Sequence, residues 1–416
     1  MASALPPSGA VGARSGGQSG GVAGDVADDV AGGQGAGDIL PFPQDIVEVD
    51  GTVGDDVLLG TGEDEAMRGL RGDDVLFGAG GDDILDGGIG DDRLEGGDGF
   101  DSYDGGPGTD TLSFHVSQAP AFVDLSTGSV QAGGAFEFVQ EVEAVSGSVF
   151  GDTLLGDDHD NLLMGGAGLD LLGGGLGDDV LVGGADGAYA TWAGSEGAVE
   201  VDLAQGVAEE WDGGFDVLSG ILGAVGTSFA DVLLGDAQAN RLEGSVGADR
   251  LDGRGGDDVL VGGAGADTLI GGAGRDLADY SGGGPVTVDL AAGAAADASG
   301  AEDTLSGVED VRGSLGDDTI TGDAAANRIE GSVGRDLITG GGGADTFVFG
   351  DRLDFGDTIV DFSANDTVEI AEMAVGAGEV AFDADTDRLL LDPGEGEDAI
   401  VIATLPGAAE ADVLVV

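Results

Sequence analysis

The chain has no cysteine and no lysine, only two histidines, and aromatic residues make up just 5% of its 416 positions. Without cysteine there is neither a disulfide nor a thiolate zinc site. With 13 arginines against 82 carboxylates, no basic patch can offset phosphate, so nucleic acid is excluded as a partner. The missing lysine also removes any phosphate-binding G-x-x-x-x-G-K-[ST] loop, despite the abundant glycine. His115 and His159 are the only histidines and no H-E-x-x-H occurs, which leaves no zinc-protease site. No apolar stretch approaches about 18 residues, so no transmembrane segment is expected. Residues 1–25 lack the basic start and apolar run of a secretory signal peptide.

What is present is negative charge and glycine. The formal net charge is −69, and carboxylates at that density repel one another in any compact state. Such a chain needs bound cations, very high salt, or disorder. Hydrophobic residues at 41% are too many for a disordered acidic chain. The 87 glycines are about three times ordinary usage.

The glycines recur with a strict period. From Gly69 to Ser113 the chain reads GLRGDDVLF, GAGGDDILD, GGIGDDRLE, GGDGFDSYD, GGPGTDTLS, with no residue gained or lost. Twenty-one such nine-residue units fall in four blocks: seven in Gly51–Ser113, four in Gly147–Val182, six in Gly226–Asp279 and four in Gly313–Val348. A decayed unit, Gly183–Thr191, follows the second block. A short strict period means that each unit is one structural step stacked on the next.

The spacers repeat as well. FVDL (Phe122–Leu125), VEVDL (Val199–Leu203) and VTVDL (Val286–Leu290) correspond, and Asp124, Asp202 and Asp289 stand 78 and 87 residues apart. The difference is nine, one unit, as expected of a solenoid that loses or gains whole steps. The reading by segments is a disordered Gly/Ala-rich lead (1–48), repeat blocks at 49–113, 147–191, 226–279 and 313–350, spacers at 114–146, 192–225 and 280–312, and a β-rich C-terminal cap (351–416).

Writing the unit as G-G-x-G-x-D-x-U-x assigns each place a task. Glycines at the first, second and fourth places permit a tight turn. The last three residues form a short strand whose middle side chain points inward. That inward residue is apolar or aromatic in all 21 units, from Leu58 to Phe347. The sixth place is Asp in 17 units, Asn in three and Glu in one. A hard cation such as calcium takes about six to eight oxygens. Glycine-rich turns expose carbonyls, and aspartate adds charge on a short stem. Magnesium suits such a cage less, because it holds its waters and demands octahedral geometry.

The pattern resembles the calcium-binding nonapeptide of RTX (repeats-in-toxin) proteins, whose repeats stack as a parallel β-helix. The resemblance implies a β-roll in which two units make one turn and calcium lies between turns i and i+2. Carried onto this chain, it implies pairs Asp56/Asp74, Asp74/Asp92, Asp92/Asp110, Asp83/Asp101, Asp152/Asp170, Asp231/Asp249, Asp249/Asp267, Asp258/Asp276 and Asp318/Asp336, with Asp179 and Asp345 as further ligands. That amounts to roughly ten calcium ions as cofactors. Glu65 replaces the sixth-place Asp in one unit. Asn161, Asn240 and Asn327 replace it in the second unit of each later block and are read as neutral rungs poor in calcium.

Other features point less sharply. Trp192 and Trp211 suit packing or capping, with sugar stacking as the alternative. Asp383–Asp387 (DADTD) reads as a hairpin turn, since it lacks the glycine and closing glutamate of an EF-hand. The tail resembles the C-terminal domain of serralysin-type metalloproteases. Its end, Asp412–Val416, resembles the uncleaved signal of type I secreted proteins, which makes the type I secretion machinery a partner during export. The resulting expectation is an all-β protein of tandem parallel β-roll (β-solenoid) segments with β-rich spacers and a β-rich cap. It is expected to be secreted, to fold on extracellular calcium, and to act as a non-enzymatic structural, matrix or adhesive component that contacts cell-surface or matrix polysaccharide. The alternative is a calcium-dependent module of a polysaccharide-active or protease-associated secreted enzyme. A membrane-active toxin ranks last, because it would need an apolar pore region and acylated lysines.

Overall fold

The computed structural model of the chain describes residues 46–211, 213–297, 299–350, 356–370, 379–383, 388–392 and 400–405. Residues 1–45 of the lead and residues 406–416, which include the segment read as an export signal, lie outside them. Every regular element among the described residues is a β-strand.

Successive nonapeptide strands alternate between two sheets, and within a block each pairs in parallel with the strand 18 residues on. Leu58 faces Leu76 and Leu76 faces Leu94 in one sheet. Met67 faces Leu85 and Leu85 faces Tyr103 in the other. Two units therefore make one turn. Side chains alternate along a strand, so the middle residue of each triplet enters the space between the sheets while its neighbours face out. The inward row is buried from Met67 to Phe347, and only Leu58, on the first rung, is partly exposed. The turns between strands need glycine where rungs stack closest. At Gly90 φ is +144°, and an added Cβ would lie 1.8 Å from the Gly72 carbonyl oxygen.

The sheets run without a break through the spacers. In the first spacer, strands Ala121–Asp124, Ser129–Ala132 and Ala135–Gln140 form an antiparallel meander. Its outer strands join Thr153–Leu155 and Ser102–Asp104 in parallel. Opposite it, the single strand Ala144–Ser146 bridges Thr111–Ser113 and Leu162–Met164. The second and third spacers build the same meander, from Val199–Asp202 to Phe215–Ser219 and from Val286–Asp289 to Glu302–Ser306, in the opposite sheet. Sequence spacing explains the switch. The first two spacers are 78 residues apart and the last two 87, and one nine-residue unit is half a turn, which moves the meander from one sheet to the other.

The repeated Asp of each spacer opens the first turn of its meander. Asp124 accepts from the Thr127 N–H, Asp202 from Gln205 and Asp289 from Ala292, the local bonding that makes aspartate a turn residue. Asp202 also holds Arg254 of the third block in a two-pronged ion pair at 2.8 Å. Beyond the fourth block, Asp357–Ile359 and Thr367–Ile370 extend the two sheets. Asp383 pairs with Arg388 at the end of an antiparallel hairpin whose connecting residues, 384–387, lie outside the described ones.

Neighbouring residues on opposite faces give a direct test of this packing. Leu181 is fully buried and Val180 is 37% exposed. In saturating calcium, Leu181→Ala is expected to lower stability by about 2–5 kcal/mol and Val180→Ala by less than about 1 kcal/mol, measured by chemical denaturation.

Candidate metal centres

The sixth-place residues form ladders along the edges of the roll. The turn is tight, so each sixth-place side chain bends back towards the rung before it. Its Oδ1 accepts the backbone N–H of the sixth-place residue 18 positions earlier. Asp56 N–H donates to Asp74, Asp74 to Asp92, Asp92 to Asp110 and Asp83 to Asp101, at 2.7–2.9 Å. The later blocks repeat this at 2.8–2.9 Å for Asp152/Asp170, Asp231/Asp249, Asp249/Asp267, Asp258/Asp276 and Asp318/Asp336. All nine aspartate pairs read from the sequence are thus brought together. Glu65 keeps its place in the ladder, donating to Asp83 at 2.8 Å.

The second oxygen, Oδ2, separates these aspartates into two groups. In eleven of them (Asp74, Asp83, Asp92, Asp110, Asp170, Asp179, Asp249, Asp258, Asp267, Asp276 and Asp336) it is buried without a hydrogen-bond partner. It faces a small cradle on the first-place glycine of its own unit. A Cβ added to Gly69 would sit 2.4 Å from Asp74 Oδ2 and 2.4 Å from the Gly87 carbonyl oxygen. At Gly244 the corresponding distances are 2.5 Å to Asp249 Oδ2 and 2.7 Å to the Gly262 carbonyl oxygen. Carboxylate and carbonyl oxygens converging on a shared space suit a hard cation and not a soft one. No three His, Asp or Glu side chains converge on one point among the described residues, so a cation held here would draw on backbone carbonyls as well as carboxylates.

The opening unit of each block is different. Its second place is Ser or Thr, and the N–H and hydroxyl of that residue both bond the unit's own aspartate: Thr52 to Asp56, Ser148 to Asp152, Thr227 to Asp231 and Ser314 to Asp318. These four carboxylates have protein donors on both oxygens or doubly on one. The asparagines of the next rung are likewise satisfied. Asn161, Asn240 and Asn327 each accept from their own second-place N–H, and each donates Nδ2 to a carbonyl 18 residues earlier. Asp101 Oδ2 takes a bond from Tyr103 at 3.4 Å. Asp345 is buried, and its Oδ1 holds the Asn327 N–H.

Sequence reading missed the carboxylates that continue the ladders outside the nonapeptides. Glu143, Asp216, Asp303, Glu309, Asp357 and Asp366 accept the N–H groups of Asp110, Asp179, Asp267, Asp276, Asp336 and Asp345. Counting back 18 residues from Asn161 and Asn327 would have found Glu143 and Glu309. The rest sit beyond meanders or insertions that break the count. A second ladder was also missed. Fifth-place aspartates accept the N–H one turn later, as in Asp73 to Asp55 and Asp91 to Asp73, but on the exposed side.

The other singled-out residues take structural places. His115 and His159 are exposed, and His159 leans on Asp157 at 3.2 Å. Trp192 is buried and donates Nε1 to Asp216 at 3.0 Å, a packing and capping role. Trp211 is exposed.

Burial fixes the electrostatics of the ladders in the absence of a cation. Desolvation, with neighbouring carboxylates adding to it, pushes Asp83, Asp110, Asp179, Asp249 and Asp336 up to about 7 and Asp101, Asp170, Asp258, Asp267 and Asp345 to about 6, from an ordinary 3.8. A carboxyl whose folded value is raised stabilises the fold at acid pH and loses that contribution as pH rises through 6 to 7. In chelator, β structure is therefore expected to increase as pH falls from about 8 to about 5. With calcium present, the midpoint concentration is expected to rise over the same interval, with protons released on binding. Circular dichroism and a pH-indicator titration check both.

Comparison with known proteins agrees with the geometry. The family described as "RTX calcium-binding nonapeptide repeat (4 copies)" matches residues 49–76, 59–94, 77–112, 146–187, 225–260, 252–284, 303–332 and 321–351, together just over half of the chain. No curated protein matches. A solved structure titled as extracellular lipase LipA from Serratia marcescens matches at 18% identity and a TM-score of 0.20, over 44% of this chain and 40% of that one. A TM-score that low supports no statement about shared shape or activity. The nine aspartate pairs and the glycine turns that frame them fall within the matched segments, and the chain belongs to the RTX calcium-binding nonapeptide repeat family.

Proposed function

We propose that this is a secreted, non-enzymatic protein that folds when it meets calcium outside the cell and then serves as a structural, matrix or adhesive component. The observation that carries the reading is the row of eleven buried carboxylate oxygens without partners. Leaving one such group unsatisfied costs about 1–3 kcal/mol, and more when it is charged. Eleven together match or exceed the roughly 5–15 kcal/mol by which folded domains are stable.

Calcium, when bound, supplies the positive charge and the oxygen-seeking coordination that these positions lack. The chain's own residues do the rest. The Oδ1 atoms hold the stacked N–H groups, the first-place glycines leave the cradle open, and the inward leucines close the core once the rungs meet. At low calcium, carboxylate repulsion keeps the chain extended enough to be threaded through a type I export channel. Outside, at calcium levels suited to sites of roughly 10⁻⁴–10⁻³ M, the free energy of binding becomes free energy of folding. Two exposed histidines, one of them held by Asp157 on a repeat turn, and spacers built as plain meanders favour a non-enzymatic role over a catalytic one.

Far-UV circular dichroism of the whole chain in chelator, titrated with calcium and separately with magnesium, tests this. A cooperative gain of β signal with calcium alone is expected. Full β structure in chelator at neutral pH would contradict the switch and return the acidic turns to a passive role.

A further inference from the structure

The last rungs of the first and third blocks carry a carboxylate pair of a different make. Asp110 and Asp276 close their blocks, and both are fully buried with Oδ2 unpartnered. No nonapeptide follows to supply the facing aspartate. In each case a spacer glutamate 33 residues later takes that place: Glu143 Oε2 accepts the Asp110 N–H at 2.9 Å, and Glu309 Oε2 accepts the Asp276 N–H at 3.0 Å.

The carbonyl half of the cradle is rebuilt as well. A Cβ on Gly105 would meet the Glu141 carbonyl oxygen at 2.0 Å and Asp110 Oδ2 at 2.8 Å. On Gly271 it would meet the Gly307 carbonyl oxygen at 1.9 Å and Asp276 Oδ2 at 2.5 Å. The carbonyl donor stands two residues before the glutamate in both, and its φ lies in the left-handed region, +52° at Glu141 and +63° at Gly307. The longer side chain has a local reason. Glu143 and Ala144 both donate to the Asp110 carbonyl, as Glu309 and Asp310 do to that of Asp276. This bulge-like doubling shifts the carboxylate-bearing backbone, and one extra methylene spans the offset. In the third block Arg275 is engaged by Asp310, at 2.7 and 2.8 Å.

The second block supplies an internal control. Its decayed last unit has Ala188 in the sixth place, and the position matching Glu143 and Glu309 is Leu222, again 18 residues before an asparagine whose Nδ2 it accepts. The carbonyl persists, with Gly220 oxygen 2.2 Å from a Cβ on Gly183, but both carboxylates are absent. Aspartate and glutamate are present together or missing together.

We propose that Glu143 and Glu309 are calcium ligands, each completing a terminal site with Asp110 or Asp276 and a spacer carbonyl, so that the first and third blocks each hold one ion beyond their aspartate pairs. This rests on the calcium-binding reading above. The test is bound calcium per chain, counted by equilibrium dialysis of the full-length protein at saturating calcium, with circular dichroism as the check on folding. Glu143→Gln and Glu309→Gln, which keep the bond to the aspartate N–H, are expected to lose one ion each and the double variant two. Glu209→Gln, an exposed spacer glutamate, is expected to lose none. Unchanged counts in the folded glutamine variants, or an equal loss in Glu209→Gln, would overturn the proposal. If one glutamine variant fails to fold, the other decides. A wild-type chain that binds no calcium would instead overturn the parent reading.

Discussion

The structure depends on a carboxylate with two unequal oxygens. One oxygen of a sixth-place aspartate accepts a backbone N–H from the turn before it and sets the distance between rungs. The other is carried into the interior by the same bend and finds no donor. Removing the side chain would free the N–H and loosen the stack. Keeping it leaves a buried negative charge. A bound cation meets both demands at neutral pH, as protonation does in acid, which is how so acidic a chain can also be so regular.

The same constraint explains the chain's segmentation. Each block starts on a rung whose aspartate is bonded by its own serine or threonine, followed in the later blocks by an asparagine that bonds at both ends. On those rungs the protein itself supplies hydrogen-bond donors to the carboxylate or amide. The charged rungs stack beyond them, and the run ends where a spacer carboxylate takes over the ladder. The meanders then widen one sheet by two strands without breaking the other, so the two sheets stay in step through the blocks and spacers that the structure describes. Tyr103, Trp192 and Tyr280 donate to spacer carboxylates at Glu137, Asp216 and Asp303. Three of the five tyrosines and tryptophans thus sit where a spacer charge is met by a protein group.

Much of this was legible in the sequence because the period is nearly perfect. A triplet such as Val180-Leu181-Val182 with glycines at fixed offsets leaves little choice about which side chain points inward, and the 18-residue pairing follows from two units per turn. The nine aspartate pairs were readable for the same reason. The spacer strands showed only as apolar runs, and nothing local announced that their three strands would lie antiparallel within an otherwise parallel sheet. Glu143 and Glu309 were hidden because a 33-residue step replaces the 18-residue one. The fifth-place ladder was hidden because that place also holds Phe100, Thr109 and Arg275, so composition gave it no signature. The difference between Asp152 and Asp170 depends on a serine hydroxyl four residues away, a contact that periodicity does not encode.

Hydrogen exchange of the ladder amides, followed by mass spectrometry on the intact chain with calcium and with chelator at neutral pH, tests the central claim most directly. The N–H groups of Asp74, Asp92, Asp249 and Asp258 are bonded to the carboxylates held to need the ion. Strong protection of the peptides that contain them in calcium, and its loss throughout the blocks in chelator, is the result that the account predicts. Equal protection in both conditions would mean that the buried oxygens are settled without a cation, and would contradict it.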